Sequence, residues 1–351
     1  MLTAPSQLIL RNIEQLPAGD LLLVNPPADG LARNLATRSD IRAHLFSQDM
    51  ADARALEAQG LTVEFGAVPA GEGHYNTVLV FHPKEKALAD FLLFMARAHL
   101  AAGGVLWLVG ENNGGIRATA KRLQAAGIAV EKRDSARHCQ LVLITPKTTG
   151  AAFALEDWLG VLAIDIGADA SATSLAVAAL PGVFSAGRLD EGTALLLQTF
   201  TAPITGHVLD MGCGAGVIGA TLKKRNPTLA VDMVDNNALA VTASEWTLRE
   251  SGLTARVHAS DGFSAVTGTY NWIISNPPFH DGIATDYRFT EKFIADAKRF
   301  LKSGGRLRIV ANAHLSYAQN IEQVFGNCRT VAETTRFRVY EATNLHYSRA
   351  N

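Results

Sequence analysis

The sequence predicts an α/β protein with two tandem parallel-sheet domains that arose by internal duplication. Along both halves, short apolar runs rich in branched side chains alternate with amphipathic stretches at helical spacing, a pattern typical of a parallel sheet covered by helices on both faces. Short segments of the first half recur in the same order in the second. The chain has 351 residues, 48% hydrophobic and 19% charged, which favours globular domains over a disordered chain or a coiled coil.

Three pairs of short segments carry the repeat. They are Gly60-Leu61-Thr62 with Gly252-Leu253-Thr254, Tyr75-Asn76 with Tyr270-Asn271, and Gly103-Gly104 with Gly304-Gly305. The distance between the copies grows slowly along the chain, as small loop insertions in the second copy would produce. Two unrelated α/β halves are the alternative, since each match alone is weak. We predict a first domain over residues 1–150, a linker and lead-in over 151–183, and a second domain over 184–351.

In the second half, five apolar runs predict the strands of a parallel sheet. They are HVLDMG at 207–212, LAVDMVD at 229–235, ARVHAS at 255–260, WIISN at 272–276 and GRLRIVA at 305–311. Phe289, Phe293, Ala297 and Phe300 fall at helical spacing, and Gly304-Gly305 is expected to end that helix. The last two runs, CRTVAETT and RFRVYEATN, predict an antiparallel hairpin at the edge of the sheet.

Composition and charge exclude several classes of protein. Lys and Arg number 32 and Asp and Glu 33, so the net charge of −1 gives no overall positive field, and any RNA surface must be a local patch. Cys139, Cys213 and Cys328 lie far apart, which argues against a disulfide framework or a zinc cluster. The sequence has no metal-ligand spacing and no uninterrupted apolar span. We expect a soluble cytoplasmic protein that binds no metal ion.

A glycine-rich turn follows the first predicted strand of the second half. Asp210 precedes Gly212, Gly214 and Gly216 in DMGCGAG. Such glycines let the backbone approach a ligand closely and open the N-terminus of the next helix. The turn lies at the carboxyl edge of the sheet, where open α/β folds bind ligands. A glycine turn that serves only packing is the alternative.

The next two strands each end in a carboxylate. Asp235, followed by Asn236, lies roughly 20 residues beyond the glycine turn, where an acidic side chain binds ribose hydroxyls; a helix cap is the alternative. Asp261, followed by Gly262, has oxygens that accept from an adenine amine, and a plain turn is the alternative. Contacts to ribose, adenine and an amino acid, without a pyrophosphate cradle, suit S-adenosylmethionine as the cofactor.

The fourth strand ends in Asn276-Pro277-Pro278-Phe279-His280. An exocyclic base amine is a poor nucleophile because its lone pair is delocalised into the ring. If the Asn276 side-chain oxygen and the Pro277 carbonyl each accept one N–H bond, the nitrogen becomes more tetrahedral and points its lone pair at a methyl group held in line. Phe279 offers a ring on which a flipped base stacks. A strand-ending turn is the alternative, and we interpret His280 as a loop histidine.

In this order and spacing, DMGCGAG, VDNN, SDG and NPPFH resemble the class I S-adenosylmethionine-dependent methyltransferases that modify amines. With the degenerate first copy, FSAGRLDEGT and GENNGG, they resemble the bacterial 16S ribosomal RNA guanine-N2 methyltransferases over essentially the full chain. This resemblance implies two Rossmann-like methyltransferase domains, the first degenerate, and methyl transfer to the N2 amine of a guanosine in the assembled 30S subunit. We expect a monomer, because the internal duplication already supplies the pairing of a dimer.

The resemblance assigns the site residues of the second domain. Asp210, Gly212, Gly214 and Gly216 hold the methionine end of the cofactor, Asp235 with Asn236 the ribose, and Asp261 with Gly262 the adenine. Asn276, Pro277 and Phe279 hold the guanine, and Asn276 is also counted with the cofactor site. In the first copy, Leu23, Asn25, Pro27 and Asp29 occupy the positions of Asp210 and the three glycines. That copy is therefore predicted to have lost the cofactor and to position the RNA.

Three other functions are alternatives to this one. A related enzyme that acts on a guanosine of 23S RNA also has NPPFH, and the motifs separate the two poorly. A protein-glutamine methyltransferase has a motif that resembles NPPY, whereas this chain has Phe279. A non-enzymatic RNA chaperone would use both domains as binding platforms. Basic clusters such as Lys223-Lys224-Arg225 are candidates for phosphate contacts, although charge runs on helices are usually solvated faces.

Overall fold

A computed structural model describes residues 2–71, 74–149, 152–166, 174–184, 189–277, 283–315 and 317–345, with side chains from residue 291 onward in the helix that begins at 283. The chain divides into two compact units, Met1–Leu159 and Gly160–Asn351. Among the described residues, no helix has the length and apolar character needed to cross a membrane.

The first unit contains seven strands and five α-helices within its described residues. In chain order they are α1 Ala4–Arg11, β1 Gly19–Val24, α2 Leu31–Leu35, β2 Ile41–Ser47, α3 Met50–Glu57, β3 Val63–Phe65, β4 Tyr75–Phe81, α4 Lys86–Ala98, β5 Leu100–Glu111, α5 Ile116–Ala125, β6 Ala129–Ala136 and β7 Cys139–Thr145. The strands form one sheet in the order β3-β2-β1-β4-β5-β7-β6.

The second unit repeats this arrangement after a two-stranded hairpin. Its described elements are β8 Gly160–Asp165, β9 Ser174–Ala179, α6 Glu191–Gln198, β10 His207–Met211, α7 Val217–Arg225, β11 Ala230–Asp235, α8 Ala238–Glu250, β12 Arg256–Ala259, β13 Tyr270–Ser275, α9 Ile283–Phe300, β14 Leu301–Asn312, α10 Tyr317–Phe325, β15 Arg329–Glu333 and β16 Phe337–Thr343. The large sheet runs β12-β11-β10-β13-β14-β16-β15.

The two large sheets have the same strand order and the same strand directions. In each, five strands are parallel, and the last two in the chain form the antiparallel edge that the sequence predicts. The prediction of two tandem α/β domains is therefore confirmed. Buried side chains such as Leu209, Ile273 and Ile309 fill the core of the second sheet, as expected for strands covered on both faces.

The repeated Tyr-Asn segment has the same structural role in both units. The Asn76 side-chain oxygen accepts a hydrogen bond from the Asp20 amide at 2.9 Å, and the Asn271 oxygen accepts from the His207 amide at 2.9 Å. A left-handed glycine precedes each amide, Gly19 in one case and Gly206 in the other. The matched contacts support duplication, because two unrelated halves have no reason to share a side-chain bond of this kind.

The prediction for Gly304-Gly305 was wrong in one respect. These glycines do not end a helix, because α9 ends at Phe300 and β14 begins at Leu301. Gly304 has φ +74°, and a Cβ on Gly305 would lie 3.0 Å from the Tyr270 carbonyl oxygen. The register of β13 and β14 shifts at this point. The glycines therefore form an irregularity inside a strand, where Gly304 takes the left-handed backbone and a side chain on Gly305 would strike the neighbouring strand.

The small-residue segment before the second domain contains the β8–β9 hairpin, which packs on the second unit. The Ala178 amide donates to the Thr247 hydroxyl at 2.9 Å, and that hydroxyl donates to the Ala215 carbonyl at 2.7 Å. The Ser251 hydroxyl donates to the Ala176 carbonyl at 3.1 Å. The hairpin thus contacts α8, and through Thr247 it is connected to the glycine-rich turn.

Candidate active site at the carboxyl edge of the second sheet

The predicted site residues follow neighbouring parallel strands. The chain continues from β10 to β11 and β12 on one side of the sheet and to β13 and β14 on the other. The point where the strand order reverses lies between β10 and β13, and ligands of open α/β sheets bind at such a point. The Ser275 hydroxyl donates to the Met211 carbonyl at 2.7 Å and fixes the ends of these two strands together.

Asp210 connects the end of β10 to α7, the helix that follows the glycine-rich turn. Its side chain is fully buried, and Oδ2 accepts a hydrogen bond from the Gly219 amide at 2.8 Å. Its Oδ1 has no hydrogen-bond partner within the described part of the chain. Burial is the main reason that the pKa of Asp210 is raised to about 7. Because burial disfavours the ionised form of this carboxyl group, a cation that approaches it is attracted and stabilises that form.

The three glycines of the turn have different surroundings. Gly212, Gly214 and Gly216 all have positive φ, which L side chains rarely adopt. A Cβ on Gly216 would lie 2.7 Å from the end of the Met233 side chain and 3.2 Å from the Ser244 Cα, whereas one on Gly212 would meet no atom of the described residues within 4 Å. Gly216 is therefore closely packed against α8, and Gly212 leaves a face open among the described residues. The cofactor contacts predicted for the three glycines stay predictions.

Asp235 joins the first strand end to the second. Its Oδ2 accepts from the Gly214 amide at 2.9 Å, and its Oδ1 accepts from the Asn237 amide at 2.9 Å. The side chain that caps α8 is Asn237, which accepts from the Leu239 amide at 2.7 Å. Asp235 thus holds the glycine-rich turn and the start of α8 together, and its predicted contact with ribose stays a prediction. Asn236 is half-buried beside it.

Asp261 lies on an exposed turn after β12. Ser260 holds this turn, because its hydroxyl donates to the Gly262 carbonyl at 2.6 Å and accepts from the Ala265 amide at 3.1 Å. Gly262 has φ +51°. The Ser260 amide donates to the Asp235 carbonyl at 2.8 Å, which connects the second and third strand ends. The Asp261 carboxylate itself is exposed to solvent.

Asn276 follows β13 directly and is held by the segment that begins α6. Its amide nitrogen Nδ2 donates to Asp190 Oδ2 at 3.0 Å and to the Thr193 hydroxyl at 2.9 Å. Pro277 is buried after it. Phe279 and His280 lie outside the described residues, so the roles predicted for them stay predictions.

Sequence reasoning missed Asp190, Thr193 and Phe184 as parts of the site. The Asp190 carboxylate caps α6 by accepting from the Thr193 amide at 2.8 Å, and the spacing Asp-x-x-Thr is a sequence signal for such a cap. The bond to Asn276 has no local signal, since the partners are 86 residues apart. Phe184 is 60% exposed, and its Cβ lies 4.0 Å from where a Cβ on Gly214 would be.

The basic cluster on α7 is engaged within the second unit. Lys224 donates to the Ser174 carbonyl at 2.5 Å, and Arg225 donates to the Ile166 carbonyl at 2.7 Å. Lys223 donates to the Leu229 carbonyl at 2.6 Å. These side chains brace the hairpin and the helix end, and their contact with phosphates stays a prediction.

The corresponding edge of the first sheet is filled by its own side chains. Asn25 follows β1, accepts from the Gln48 amide at 2.8 Å and donates to the Gln48 side-chain oxygen at 3.1 Å. Asp29 is buried and accepts from the Leu31 amide at 2.9 Å and the Thr3 amide at 2.8 Å. These bonds occupy the turn that glycines leave open in the second sheet.

Comparison with known proteins assigns both units to methyltransferase-related families. A family model of the methyltransferase small domain matches residues 174–341, and one of the N-terminal methyltransferase small domain matches residues 6–161. The chain is 39% identical over 341 residues to a ribosomal RNA small subunit methyltransferase C from Shewanella amazonensis, covering 97% of this chain and 98% of that protein. It is 43% identical over 338 residues to the protein of the same name from Pseudomonas putida, covering 96% and 98%.

One solved structure matches both units at once. It is the T. thermophilus 16S rRNA N2 methyltransferase in complex with AdoMet and guanosine, with a TM-score of 0.82 and 24% sequence identity over 97% of this chain and 92% of that one. At this level of identity the match shows a shared fold.

Proposed function

The chain belongs to the family of ribosomal RNA small subunit methyltransferase C, and from this membership we propose that it transfers a methyl group from S-adenosylmethionine to the exocyclic N2 amine of a guanosine in 16S rRNA. The observation that carries the proposal is the placement of Asn276 beside the glycine-rich turn, with both N–H bonds of its amide occupied. Its oxygen is then the atom that meets an incoming amine.

Three features of the described residues fit S-adenosylmethionine. The buried Oδ1 of Asp210, without a partner among the described residues, suits the ammonium of the methionine end. The open face of Gly212 gives the backbone room to approach it. Asp235, with Asn236, lies at the second strand end for the ribose, and Asp261 with Gly262 lies at the next strand end for adenine. When bound, the cofactor supplies an electrophilic methyl group on a positively charged sulfur.

The residues of the chain then act by positioning. The Asn276 oxygen and the Pro277 carbonyl each accept one N–H bond of the base amine and orient its lone pair. Proline fixes φ and lacks an amide hydrogen, so the backbone carbonyls are presented rigidly. No strong base is required before transfer, because alignment supplies the acceleration, and the amine proton leaves afterwards. Phe279 is proposed to stack on the flipped guanine.

The finer substrate form and the role of the first unit belong to the same proposal. We take the assembled 30S subunit as the substrate, a monomer as the active form and the cytoplasm, where ribosomes lie, as its location. The first unit, whose matching turn is filled, is proposed to position the RNA rather than to bind the cofactor. An isolated second unit that methylates subunits as fast as the whole chain would contradict that role.

Transfer of labelled methyl from S-adenosylmethionine tests the proposal. The acceptors are unmodified 30S and 50S subunits and their naked RNAs, and mass spectrometry identifies the modified nucleoside. We expect N2-methylguanosine in 16S rRNA, at a higher rate in 30S subunits than in naked RNA. Label only in 23S rRNA would reassign the substrate. Cofactor binding with no labelled RNA would reject the proposal and redirect the search to protein glutamines.

A further inference from the structure

We propose that Asp190 and Thr193 are positioning residues that lock the Asn276 side-chain amide in one orientation, with its oxygen toward the base amine. This inference rests on the proposed function and names the residues that give the site its selectivity. Neither residue was identified by sequence reasoning, and both lie on the segment that begins α6, far along the chain from β13.

The orientation of the amide follows from the chemistry of its partners. A side-chain amide has two N–H donors on one atom and lone pairs on the other. A carboxylate oxygen only accepts, so the atom of Asn276 that lies 3.0 Å from Asp190 Oδ2 must be the nitrogen. The second N–H bond is donated to the Thr193 hydroxyl at 2.9 Å. A flipped amide would place its oxygen against the carboxylate and lose the bond to Asp190, while the Thr193 hydroxyl could donate to that oxygen. Asp190 therefore sets the orientation, and Thr193 accepts the second N–H bond.

The hydrogen bonds from the Asn276 amide to Asp190 and Thr193, called the lock below, are themselves held firmly. Asp190 Oδ2 accepts from the Thr193 amide at 2.8 Å, so the carboxylate belongs to the first turn of α6. Gly192 between them is tightly packed, since a Cβ there would lie 3.1 Å from Asp190 Oδ2 and 3.2 Å from the Phe337 ring. The start of α6 is therefore packed directly against β16, which fixes the distance to Asn276.

The other end of α6 is anchored by a buried cation. Arg308 of β14 donates to the Thr199 carbonyl at 3.1 Å, lies 4.3 Å from the centre of the Phe200 ring and pairs with Glu341. Arg308 and Glu341 are both buried, so this ion pair is poorly screened by solvent. With both ends attached to the sheet, α6 has little freedom to move away from Asn276.

This lock gives the site a hydrogen-bond polarity. An amide that presents only its oxygen can accept from an N–H group and cannot donate to a carbonyl. On guanine it therefore accepts from the donors, the exocyclic amine and the neighbouring N1–H, and gives no bond to the ring carbonyl oxygen. A free amide would turn either way and would bind donors and acceptors alike. The pair Asp190–Thr193 thus determines that the donor groups of the base are held.

Single substitutions at Thr193 test the lock. Thr193→Val keeps the shape and removes the acceptor for the second N–H bond, while Thr193→Ser retains it. Thr242→Val on α8 is the matched control for loss of a helical threonine hydroxyl. With unmodified 30S subunits, we expect Thr193→Val to lower kcat about tenfold, the size of effect that follows from losing one hydrogen bond to an otherwise buried group. Thr193→Ser should recover the rate, and the affinity for S-adenosylmethionine should stay near wild type in both variants.

Exchanging the Asn276 and Asp190 side chains gives a second test if Thr193→Val fails to fold. Asn276→Asp places a second carboxylate beside Asp190, so its rate should fall at least tenfold by like-charge repulsion. Asp190→Asn in that background restores a donor between the two side chains and should recover much of the loss.

The outcomes separate this inference from the function on which it rests. A wild-type protein that labels no RNA rejects the proposed function and, with it, the lock. An active wild type, with Thr193→Val as fast as Thr242→Val, overturns the lock alone. The lock is likewise overturned if a folded Thr193→Val loses cofactor affinity in proportion to its rate, or if the swap recovers nothing.

Discussion

The two sheets of this chain share a scaffold and differ at one edge. Both have the strand order that places β1 or β10 third from one edge, inside the sheet, and both use a left-handed glycine and an Asn side chain to start that strand. Even the first residue of the following turn is matched. The Asn25 amide donates to the Phe46 carbonyl at 2.8 Å, and the Gly212 amide donates to the Val234 carbonyl at 2.9 Å.

The turns diverge immediately after that shared bond. Asn25 has φ +53° and uses its side chain to bind Gln48, whereas Gly212 has φ +69° and no side chain. Asn tolerates the left-handed region better than most residues, so the backbone path was kept while the space above it was filled. The comparison teaches that the fold depends on the strands and their starts, and that the site depends on what the carboxyl-edge turns leave empty.

The largest expected effect comes from removing the polar side chain that follows β13, so that this end of the second sheet has no catalytic group, as is proposed for the first sheet. Asn276→Ala removes the proposed acceptor for the base amine, and we expect methyl transfer to fall by roughly a hundredfold or more, as for loss of one preorganised polar group in other active sites. Cofactor affinity should stay within a few-fold of wild type. Single-turnover rates and calorimetric titration measure the two quantities.

The control for this prediction is Asn34→Ala on the exposed surface of α2, which removes an Asn from the other unit and should leave both quantities unchanged. Unimpaired transfer by Asn276→Ala would reject the mechanism and favour a binding function.

A pH experiment tests Asp210, which has a leucine in its place in the first unit. Its pKa is raised to about 7, mainly by burial, from a value of 3.8. An acid whose pKa is higher in the folded state is penalised when ionised, so its contribution to stability is lost as pH rises from about 4 to 7. Without cofactor, wild type should lose roughly 4 kcal/mol of unfolding free energy relative to Asp210→Asn across this window.

The cofactor should reverse that trend, because its ammonium favours the ionised carboxylate. Affinity for S-adenosylmethionine should therefore rise with pH up to about 7 in wild type and change less in Asp210→Asn. Urea unfolding and calorimetry at several pH values provide the data. Parallel curves for the two proteins would show that Asp210 has no raised pKa.

The glycines of the open turn can be separated by function. Gly216→Ala puts a Cβ 2.7 Å from Met233 and strains φ +81°, so the free energy of unfolding should fall by about 3 kcal/mol. Gly212→Ala meets no atom within 4 Å in the part of the chain that the structure describes and should cost about 1 kcal/mol, while cofactor affinity falls. Equal losses of stability for the two variants would contradict the division into a packing glycine and an open one.

Much of the fold and part of the site were predictable because their signals are local. Apolar runs gave the strands, and the turn DMGCGAG and the pair Asn276-Pro277 marked strand ends. Gly304-Gly305 misled, since a left-handed glycine after a helix serves equally well as a helix stop or as a strand irregularity. The bond from Asn276 to Asp190 could not be predicted, because a helix cap is visible in sequence but a third partner brought by the fold is not.

The smallest effect belongs to the first unit and isolates what fills its turn. Asn25→Gly loses the two side-chain bonds to Gln48 but relieves the left-handed backbone, whereas Asn25→Ala loses the bonds and keeps the strain. We expect Asn25→Ala to be less stable than Asn25→Gly by about 1 kcal/mol in urea unfolding. Neither variant should alter cofactor stoichiometry from one per chain. A second cofactor bound to Asn25→Gly would mean that the Asn25 side chain alone had closed the site in the first unit. The other groups that this unit lacks, such as an acid at the position of Leu23, would then not be needed for binding.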